Sequence, residues 1–274
     1  MKNFCVIGNP VNHSLSPAIF KCIFQDFKIH AEYKKIHLEH HSLLRDFFLK
    51  TKNIYNGYNI TAPFKDNILD IVDEVDSSAQ LLQSINCVKN LNNKLIGYNT
   101  DCYGFELLLK NSLKIDFKNK NFLILGNGST ARNVVFVLNN LYVKNINILG
   151  RNSKNVYNFI DNMNNNIIGV NKVVEYEKNH DNYILINCLP INVSQDSTNM
   201  ILKNIIMKNI ELLIDVNYTN NFVSDKFISK NINTIMGHNM LLYQAIKNFD
   251  IWFDQDISNN FDITKIKKQV FKNV

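Results

Sequence analysis

The apolar positions of the chain fall into short runs that alternate with segments in which they recur at helical spacing. Short apolar runs bounded by turn residues predict strands, and apolar residues at helical spacing predict amphipathic helices. The predicted strands are Phe4–Ile7, Tyr33–Leu38, a run from about Tyr58 to Pro63, Ile85–Leu91, Lys94–Tyr98, Asn121–Leu125, Ile146–Leu149, Tyr183–Cys188 and Glu211–Val216. The predicted helices are one that begins near Pro17, about Ser42–Leu49, Asp66–Val72, one capped by Asp76 that runs to about Gln83, Tyr103–Leu113, Val134–Leu141, Gly237–Trp252 and Ile263–Phe271. This alternation predicts an α/β protein with a mostly parallel sheet covered on both faces.

The amino-acid composition indicates which class of molecule the chain is expected to bind. The chain has 274 residues, of which 46% are hydrophobic and 20% charged, and its formal net charge is +6. Such a chain can form one large domain or two of moderate size, and its composition is that of a soluble globular protein. The positive charge is modest and spread along the chain, and no basic run with interleaved aromatic residues is present. The sequence therefore favours an anionic small molecule over nucleic acid as the partner.

The cysteines and the N-terminal sequence indicate in which cellular compartment we expect the protein. The five cysteines are an odd number and form neither a C-x-x-C pair nor a metal-binding spacing. We therefore expect reduced thiols, a cytoplasmic location and no metal site. The N-terminus lacks a signal-peptide pattern, and no apolar run approaches the ~18 residues of a membrane span, so no membrane partner is expected.

The most distinctive chemistry lies where an apolar strand ends at Pro63 and Lys65 follows. Proline removes a backbone donor and keeps the preceding residue extended, so the strand ends there and a helix is predicted to begin. Asn59 and Thr61 share one face of that strand because side chains alternate with period two. Two hydrogen-bonding side chains and one ammonium group then converge at the carboxyl end of a strand, where open α/β sheets place their ligands. The alternative is an ordinary surface lysine after a proline turn.

Polar side chains also occupy two other junctions between a strand and a helix. Asp101 follows a strand that ends at Tyr98; it is either a helix N-cap or the carboxylate that holds and tunes Lys65. Ser14 and Ser16 lie in the loop that leads into the first helix, where Ser16 is predicted to be the N-cap. The two serines are either capping residues or, with the nearby helix amides, a site for an anion such as a carboxylate.

A glycine-rich turn follows the strand Asn121–Leu125 and leads into an apolar helix. It has the pattern G-x-G-x-x-A, in which the first glycine makes the turn, the second admits a pyrophosphate and the small residue lets the helix pack on the strand. Because it lies between a strand and a helix, the turn predicts a dinucleotide-binding site. Its residues are Gly126, Asn127, Gly128, Ser129, Thr130, Ala131 and Arg132.

The end of the next strand bears on which dinucleotide is bound. An NAD-binding protein would show an acidic residue after Leu149 for the ribose 2′-hydroxyl, but the chain continues with Gly150, Arg151, Asn152, Ser153 and Lys154. Arg151, helped by Lys154 and Arg132, can neutralise a 2′-phosphate. The sequence therefore predicts NADP rather than NAD, although Arg151 could also merely cover the edge of the sheet. The strand that ends at Val216 is expected to line the nicotinamide side of the crevice.

With these motifs together, the chain resembles the NADP-dependent shikimate dehydrogenase family over nearly its whole length and in the same order. The resemblance rests on Gly8-Asn9-Pro10 with His13-Ser14-Leu15-Ser16-Pro17, Asn59-Ile60-Thr61-Ala62-Pro63-Phe64-Lys65, Ile85-Asn86, Asn99-Thr100-Asp101, the glycine turn, Arg151, Tyr218, and Gly237 with Met240-Leu241 and Gln244. It implies a substrate-binding catalytic domain of residues 1–101, completed by helices within 238–274, and an inserted NADP-binding Rossmann domain of residues 102–237.

The family resemblance also implies roles for individual residues. Lys65 and Asp101 would be the catalytic pair that assists NADPH-dependent reduction of 3-dehydroshikimate to shikimate. Ser14 and Ser16 would hold the substrate carboxylate, and the ring hydroxyls would contact Asn59, Thr61, Asn86, Tyr218 and Gln244. The cofactor would contact the glycine turn together with Arg151, Asn152, Lys154, Val216, Gly237 and Met240. The expected partner is therefore a small molecule, and the expected assembly is a monomer or a homodimer.

Some positions depart from the usual pattern of the family, and three other functions stay open. Ser129 and Thr130 stand where the family usually has glycine and alanine, Cys87 replaces a threonine, Cys102 a glycine and Gly150 an asparagine. None of these changes removes a group that performs chemistry. The alternatives are a quinate/shikimate dehydrogenase that uses NAD, a methylenetetrahydrofolate dehydrogenase, and a non-catalytic sensor of a nucleotide or small acid on the same scaffold.

Overall fold

A computed structural model of the protein describes residues 1–168, 173–177, 181–257 and 261–271. The chain divides into two units: Met1–Gly104 with the segment that begins at Leu242, and Phe105–Leu241. Each unit is built on one six-stranded sheet, which confirms the predicted α/β class with two domains. Among the residues described, no helix combines the length and the apolar character that a membrane span requires.

The sheet of the first unit is mixed. Its strands are β1 (Lys2–Gly8), β2 (Ala31–His37), β3 (Gly57–Ile60), β4 (Glu74–Val75), β5 (Cys87–Leu91) and β6 (Lys94–Tyr98). They lie in the order β2-β1-β3-β5-β6-β4, and only the pairs β3–β5 and β5–β6 are antiparallel. The β5–β6 hairpin turns at Asn92 and Asn93, both with positive φ, as a two-residue hairpin turn requires. The helices of this unit are α1 (Ser16–Asp26), α2 (Leu44–Thr51), α3 (Ser77–Leu82), α4 (Asp101–Ser112), α9 (His238–Phe253) and α10 (Ile263–Val270), of which α4 and α9 run on into the other unit.

Aromatic packing ties helix α9 to the sheet of the first unit. The ring of Trp252 stacks on Phe4 with 4.6 Å between centroids, and its Nε1 donates to the carbonyl of Val88 at 3.0 Å. Gly57 makes this possible, because a Cβ there would lie 2.4 Å from Nε1 of Trp252. The indole therefore fixes the position of α9 relative to strands β1, β3 and β5, and with it the side chains that α9 directs inward.

The second unit has a wholly parallel sheet. Its strands are β7 (Asn121–Leu125), β8 (Asn145–Leu149), β9 (Val173–Glu175), β10 (Tyr183–Asn187), β11 (Ile210–Asp215) and β12 (Thr234–Met236), in the order β12-β11-β10-β7-β8-β9. The connecting helices are α5 (Ser129–Asn140), α6 (Ser153–Asn162), α7 (Gln195–Leu202) and α8 (Phe222–Ile228). All residues of β7 and β10 are buried, as expected for central strands covered on both faces. The strand order reverses between β7 and β10, where doubly wound sheets bind dinucleotides.

The helix predicted for Asp66–Val72 is wrong, and Lys65 does not begin a helix. The segment is a series of turns, in which Asn67 N–H bonds to Phe64 and Ile71 N–H to Ile68. Lys65 O, which would accept from Leu69 N–H in a helix, accepts instead from Ile85 N–H, and Arg45 donates to Asp70 O. These tertiary hydrogen bonds override the local preference for helix.

Several elements lie where the sequence predicted none. They are the two-residue strand β4, the strands β9 and β12, and the helices α6, α7 and α8. Helix α7 begins after Ser194, whose hydroxyl accepts from Ser197 N–H, and α8 begins after Asn221, which forms a capping box with Ser224. Capping residues therefore mark the start of both helices, although the flanking sequence is polar.

Candidate active site

Lys65 and Asp101 form an ion pair within the first unit. Nζ of Lys65 donates to Oδ2 of Asp101 at 2.6 Å, and the side chains are 16% and 10% exposed. The lysine follows strand β3, and the aspartate is the first residue of α4, directly after the β5–β6 hairpin. Lys65 and Asp101 were expected to lie together because each follows a strand of one sheet, and their side chains are in contact. A partly buried pair of this kind is screened little by salt, so its charges interact more strongly than those of a surface pair.

Asn86, which is held in turn by Thr100, fixes the orientation of the Asp101 carboxylate. Nδ2 of Asn86 donates to Oδ1 of Asp101 at 2.8 Å and to Oγ1 of Thr100 at 2.9 Å. The backbone N–H of Thr100 donates to Oδ1 of Asn86 at 2.7 Å. One carboxylate oxygen therefore faces Lys65 and the other faces Asn86, so the carboxylate cannot rotate without losing both partners.

Ser14, Ser16 and Asn59 are linked through Tyr33, which the sequence did not indicate. Oγ of Ser14 donates to Oγ of Ser16 at 3.2 Å, and the hydroxyl of Tyr33 donates to Oδ1 of Asn59 at 2.7 Å. Burial raises the pKa of Tyr33 well above its ordinary value, and a hydrogen bond with Ser16 opposes that shift. Tyr33 is therefore a neutral phenol that connects the serine pair with Asn59. The sequence feature that could have revealed Tyr33 is its position on β2, the strand that pairs with β1.

The prediction that Ser16 caps the first helix is wrong. Ser16 is the first residue of α1, Leu15 occupies the N-cap position, and the hydroxyl of Ser14 accepts from Ser16 N–H at 3.3 Å. Thr61 is placed by its backbone, because its N–H donates to Ile7 O at 2.9 Å. Its methyl group lies over Gly8, where a Cβ would approach to 2.4 Å. Gly8 therefore allows Thr61 to lie directly against the end of β1.

Gln244 lies on helix α9 and is joined to the acid-base pair by a residue that the sequence did not indicate. Nδ2 of Asn248 donates to Oε1 of Gln244 at 2.9 Å, and Oγ1 of Thr100 donates to Oδ1 of Asn248 at 2.6 Å. The side chain of Asn248 is fully buried. The spacing of four residues between Gln244 and Asn248, which puts both on one helix face, is the signal that could have revealed it.

The glycine turn of the second unit has the geometry that a dinucleotide site needs. Gly126 has φ +100°, a conformation that side chains disfavour, and its N–H donates to Leu149 O at 2.9 Å. A Cβ at Gly128 would meet no atom within 4 Å, so the space beside it is open to a ligand. Gly128 is the N-cap residue of α5, and Ala131 is buried. The amides at the start of α5 and this open space fit a pyrophosphate group. Asn127, Ser129, Thr130 and Arg132 lie in the same turn and the first turn of α5.

The predicted 2′-phosphate residues lie on the surface at the end of β8. Arg151 is exposed, and its Nη1 donates to Oγ of Ser197 at 3.3 Å. Asn152 is the N-cap residue of α6 and accepts from Asn155 N–H, and Lys154 is exposed in the first turn. This surface offers a guanidinium, an ammonium and the N-terminus of α6, all of which favour an anion.

A buried carboxylate holds the loop that follows β11. Four N–H groups donate to Asp215: Nδ2 of Asn187 at 3.0 Å, Nδ2 of Asn221 at 2.9 Å, and the backbone and side-chain nitrogens of Asn217 at 3.0 and 2.8 Å. Burial raises the pKa of Asp215 above its ordinary value, and these donors act in the opposite direction. The cluster went unnoticed in the sequence because asparagines are abundant in this chain.

The loop held by Asp215 contains two of the predicted site residues. Val216 and Tyr218 are half-buried. Gly237 packs against this loop so closely that a Cβ would lie 2.1 Å from the carbonyl oxygen of Val216, and its N–H donates to Asn217 O at 2.8 Å. Met240, on the first turn of α9, is buried in the same unit. Tyr218 belongs to the second unit, whereas the other predicted substrate residues belong to the first.

The ionisable groups of the described residues form no cluster of three or more His, Cys, Asp or Glu side chains suited to a metal ion. All five cysteines are free thiols. Burial raises the pKa of Cys87 and of Cys188, so both stay protonated near neutral pH and are weak nucleophiles.

Comparison with known proteins identifies the family. The shikimate dehydrogenase substrate-binding domain model matches residues 6–88, and the shikimate/quinate 5-dehydrogenase model matches residues 108–221. The chain is 30% identical to the shikimate dehydrogenase (NADP(+)) of Nitrosopumilus maritimus over 94% of this chain and 96% of the relative, and 32% identical to that of Pelagibacter ubique over 92% and 93%. A shikimate dehydrogenase solved in complex with NADP+ aligns over 100% of this chain and 96% of its own, with 26% identity and a TM-score of 0.83. The chain therefore belongs to the shikimate dehydrogenase family.

Proposed function

We propose that this protein reduces 3-dehydroshikimate to shikimate reversibly with NADPH, and that Lys65 and Asp101 are its catalytic pair. Two relatives that align over more than nine-tenths of both chains are shikimate dehydrogenases (NADP(+)). The single observation that carries the assignment of the pair is the 2.6 Å contact between Nζ of Lys65 and Oδ2 of Asp101. It holds an ammonium group, oriented and partly shielded from water, among side chains that can bind a polyhydroxylated acid.

The chemistry assigns a separate role to each member of the pair. NADPH, when bound, supplies the hydride for the C3 carbonyl of the substrate. Lys65 donates a proton or a hydrogen bond to the oxygen on which negative charge develops, and so stabilises the transition state. Asp101 keeps the ammonium in place, and Asn86 holds the carboxylate from the other side. In the reverse reaction the neutral amine form of the same lysine receives the proton of the hydroxyl group.

The other polar residues of the first unit would bind the substrate. Ser14 and Ser16 lie at the N-terminus of α1, where hydroxyls and the helix dipole favour a carboxylate. Asn59, Thr61, Asn86 and Gln244, together with Tyr218 of the second unit, would contact the ring hydroxyls. Each carries a side-chain group that can exchange hydrogen bonds with hydroxyls.

The second unit would bind NADPH rather than NADH. The turn Gly126–Ala131 would hold the pyrophosphate, and Arg151, Asn152 and Lys154 would hold the 2′-phosphate. Val216, Gly237 and Met240 would line the nicotinamide side. Small-molecule ligands thus account for all of these residues, and we expect no nucleic-acid or membrane partner. We also expect a cytoplasmic monomer or homodimer, consistent with five free thiols in the described residues.

The deciding experiment follows the loss of NADPH absorbance when purified protein is mixed with 3-dehydroshikimate. Parallel assays use NADH in place of NADPH, and quinate with each oxidised cofactor in the reverse direction. We expect NADPH-selective turnover of the dehydroshikimate. Equal rates with NADH, or preferential oxidation of quinate, would contradict the proposal and favour an NAD-dependent quinate/shikimate dehydrogenase.

The catalytic role of Lys65 is tested in the same assay with Lys65→Ala. Because general acid catalysis contributes about 10²–10⁴ in rate, turnover should fall by that factor while the dissociation constant for NADPH stays unchanged. Lys94→Ala is the matched control, since Lys94 also forms a lysine-carboxylate pair, with Glu74, but half-exposed on the surface. Wild-type turnover by Lys65→Ala would remove Lys65 from the mechanism.

A further inference from the structure

A continuous path of hydrogen bonds joins the acid-base pair to helix α9. It runs from Lys65 through Asp101, Asn86, Thr100 and Asn248 to Gln244, and each hydrogen bond is between 2.6 and 2.9 Å long. Apart from Lys65, all of these residues are buried. Asn248 connects α9 to this path, because it bonds to Thr100 on one side and to Gln244 on the other.

The direction of this path is set at one atom. The backbone N–H of Thr100 can only donate, and it donates to Asn86 at 2.7 Å, so that atom of Asn86 must be the amide oxygen. The amide nitrogen of Asn86 then donates to Oγ1 of Thr100. Amide orientations are ordinarily ambiguous, but a backbone donor removes the ambiguity here.

The orientation passes from Thr100 to helix α9. The Thr100 hydroxyl accepts from Asn86 and has one proton to donate; Oδ1 of Asn248 lies at 2.6 Å, whereas Oδ1 of Asn86 is at 3.2 Å and already accepts from the backbone. Asn248 therefore presents its oxygen to Thr100 and its nitrogen to Gln244. Oε1 of Gln244 is consequently the acceptor of that bond, and its NH2 group is the half of the amide that faces away from Asn248.

We propose that Asn248 is a positioning residue that fixes Gln244 as a hydrogen-bond donor toward a substrate oxygen and thereby sets the affinity for shikimate. This inference rests on the proposed function, in which Gln244 contacts the substrate. Asn248 is fully buried on the same face of α9, four residues from Gln244, so it acts through Gln244 and not by contact with the ligand. A preset amide spares the ordering of one side chain when substrate binds.

The test replaces Asn248 by a side chain of similar size that cannot form hydrogen bonds. In Asn248→Leu, Gln244 loses the hydrogen bond from Asn248, while the Thr100 hydroxyl can turn to the Asn86 oxygen at 3.2 Å. We expect the KM for shikimate to rise about three- to tenfold, as for the loss of one orienting hydrogen bond, with the KM for NADP+ unchanged and kcat within about twofold. A wild-type KM for shikimate would overturn the proposal.

A double-mutant cycle separates positioning from general loss of structure. If Asn248 acts through Gln244, the change in KM caused by Asn248→Leu should disappear in the Gln244→Ala background. An equal rise in both backgrounds would overturn the proposal. The melting temperature of each variant is measured as well. If the leucine variant does not fold, Asn248→Ser replaces it in the same cycle, because the short serine hydroxyl cannot reach both Thr100 and Gln244.

The failure of this inference can be told apart from a failure of the proposed function. Turnover of shikimate with NADP+ by the wild-type protein is measured first, and its absence would count against the proposed function alone. In that case the dissociation constant for shikimate, measured by calorimetry, replaces KM in the same cycle. A dissociation constant that is insensitive to Asn248→Leu would then overturn the role of Asn248.

Discussion

The two candidate sites of this protein are built by different means. In the first unit, side chains hold one another: Lys65, Asp101, Asn86 and Thr100 form a buried network of short hydrogen bonds. In the second unit, the backbone of the glycine turn and an exposed arginine form the site, and the space beside Gly128 is open. The reacting groups are thus oriented before any ligand arrives, whereas the cofactor site offers amides and charge on an accessible surface.

This difference predicts which substitutions affect turnover and which affect cofactor binding. Changes at Lys65, Asp101 or Asn86 should lower kcat, because these groups are positioned for one reaction geometry. Changes at the glycine turn and at Arg151 should raise the KM for NADPH and leave the chemical step alone. If a substitution in the first unit changed mainly the KM for NADPH, or one in the second unit changed mainly kcat, the comparison would be wrong.

The largest effect is expected for Asp101→Asn. The amide cannot balance the Lys65 charge, and its NH2 group must face either Lys65 or the NH2 group of Asn86, both of which are donors. We expect kcat to fall about 10²-fold or more, with an unchanged dissociation constant for NADPH. Steady-state kinetics and a direct binding titration measure the two quantities. A kcat close to that of the wild type would show that the ion pair is only structural.

The next largest effect is expected for Arg151→Ala. Loss of a charged hydrogen bond to a phosphate should lower kcat/KM for NADPH about 10- to 100-fold and leave kcat/KM for NADH unchanged. Arg151→Lys is the matched control: it keeps the charge but loses the planar fork, so its kcat/KM should be intermediate. Equal losses with both cofactors would mean that Arg151 does not recognise the 2′-phosphate. Such a result would leave Lys154, Asn152 and Arg132 as the remaining candidates.

Much of this comparison could be predicted from the sequence. The central strands are continuous apolar runs, and the glycine turn lies between a strand and a helix, so local pattern was enough to find them. Lys65 and Asp101 were predicted to meet because both follow strands of one sheet. By contrast, the turn segment 66–72 depends on Arg45 and Ile85, which are distant in sequence, and local pattern wrongly predicted a helix there.

The residues that support the sites were harder to predict than the residues of the sites themselves. Asn248 and Asn217 act through partners brought together by the fold, and in a chain rich in asparagine neither position stands out. In the sequence, Tyr33 looks like any other aromatic residue of a strand, and only the structure shows that its hydroxyl donates to Asn59. Supporting residues are defined by tertiary hydrogen bonds, which leave no periodic signal along the chain.

A smaller effect is expected for Gly128→Ala, and Gly126→Ala is its matched counterpart. A Cβ at Gly128 meets no protein atom within 4 Å, so the melting temperature should not change, but it would occupy space near the cofactor and raise the KM for NADPH about three- to tenfold. A Cβ at Gly126 would be strained at φ +100° and would lie 3.3 Å from Leu189, so this variant should lose about 1–2 kcal/mol of stability. A lowered melting temperature for Gly128→Ala would contradict the distinction.

The last prediction concerns how stability depends on pH through Asp215, the buried carboxylate of the second unit. Burial raises its pKa above the ordinary value, so the folded protein binds this proton more tightly than the unfolded chain does. The stability that the proton contributes is therefore complete below the ordinary carboxyl pKa and is lost as pH rises through the folded-state pKa. The slope cannot exceed about 1.4 kcal/mol per pH unit, because only one proton is involved.

Urea unfolding of the wild type and of Asp215→Asn, from about pH 4 upward, measures this dependence. The variant should be less stable throughout, because its amide nitrogen would face N–H donors that now point at a carboxylate oxygen. Other titrating groups are the same in both proteins, so the difference between the two free energies of unfolding isolates Asp215. We expect that difference to decrease as pH rises. An increase would show that the four donors outweigh burial, and that the second unit also holds its buried carboxylate in the charged form.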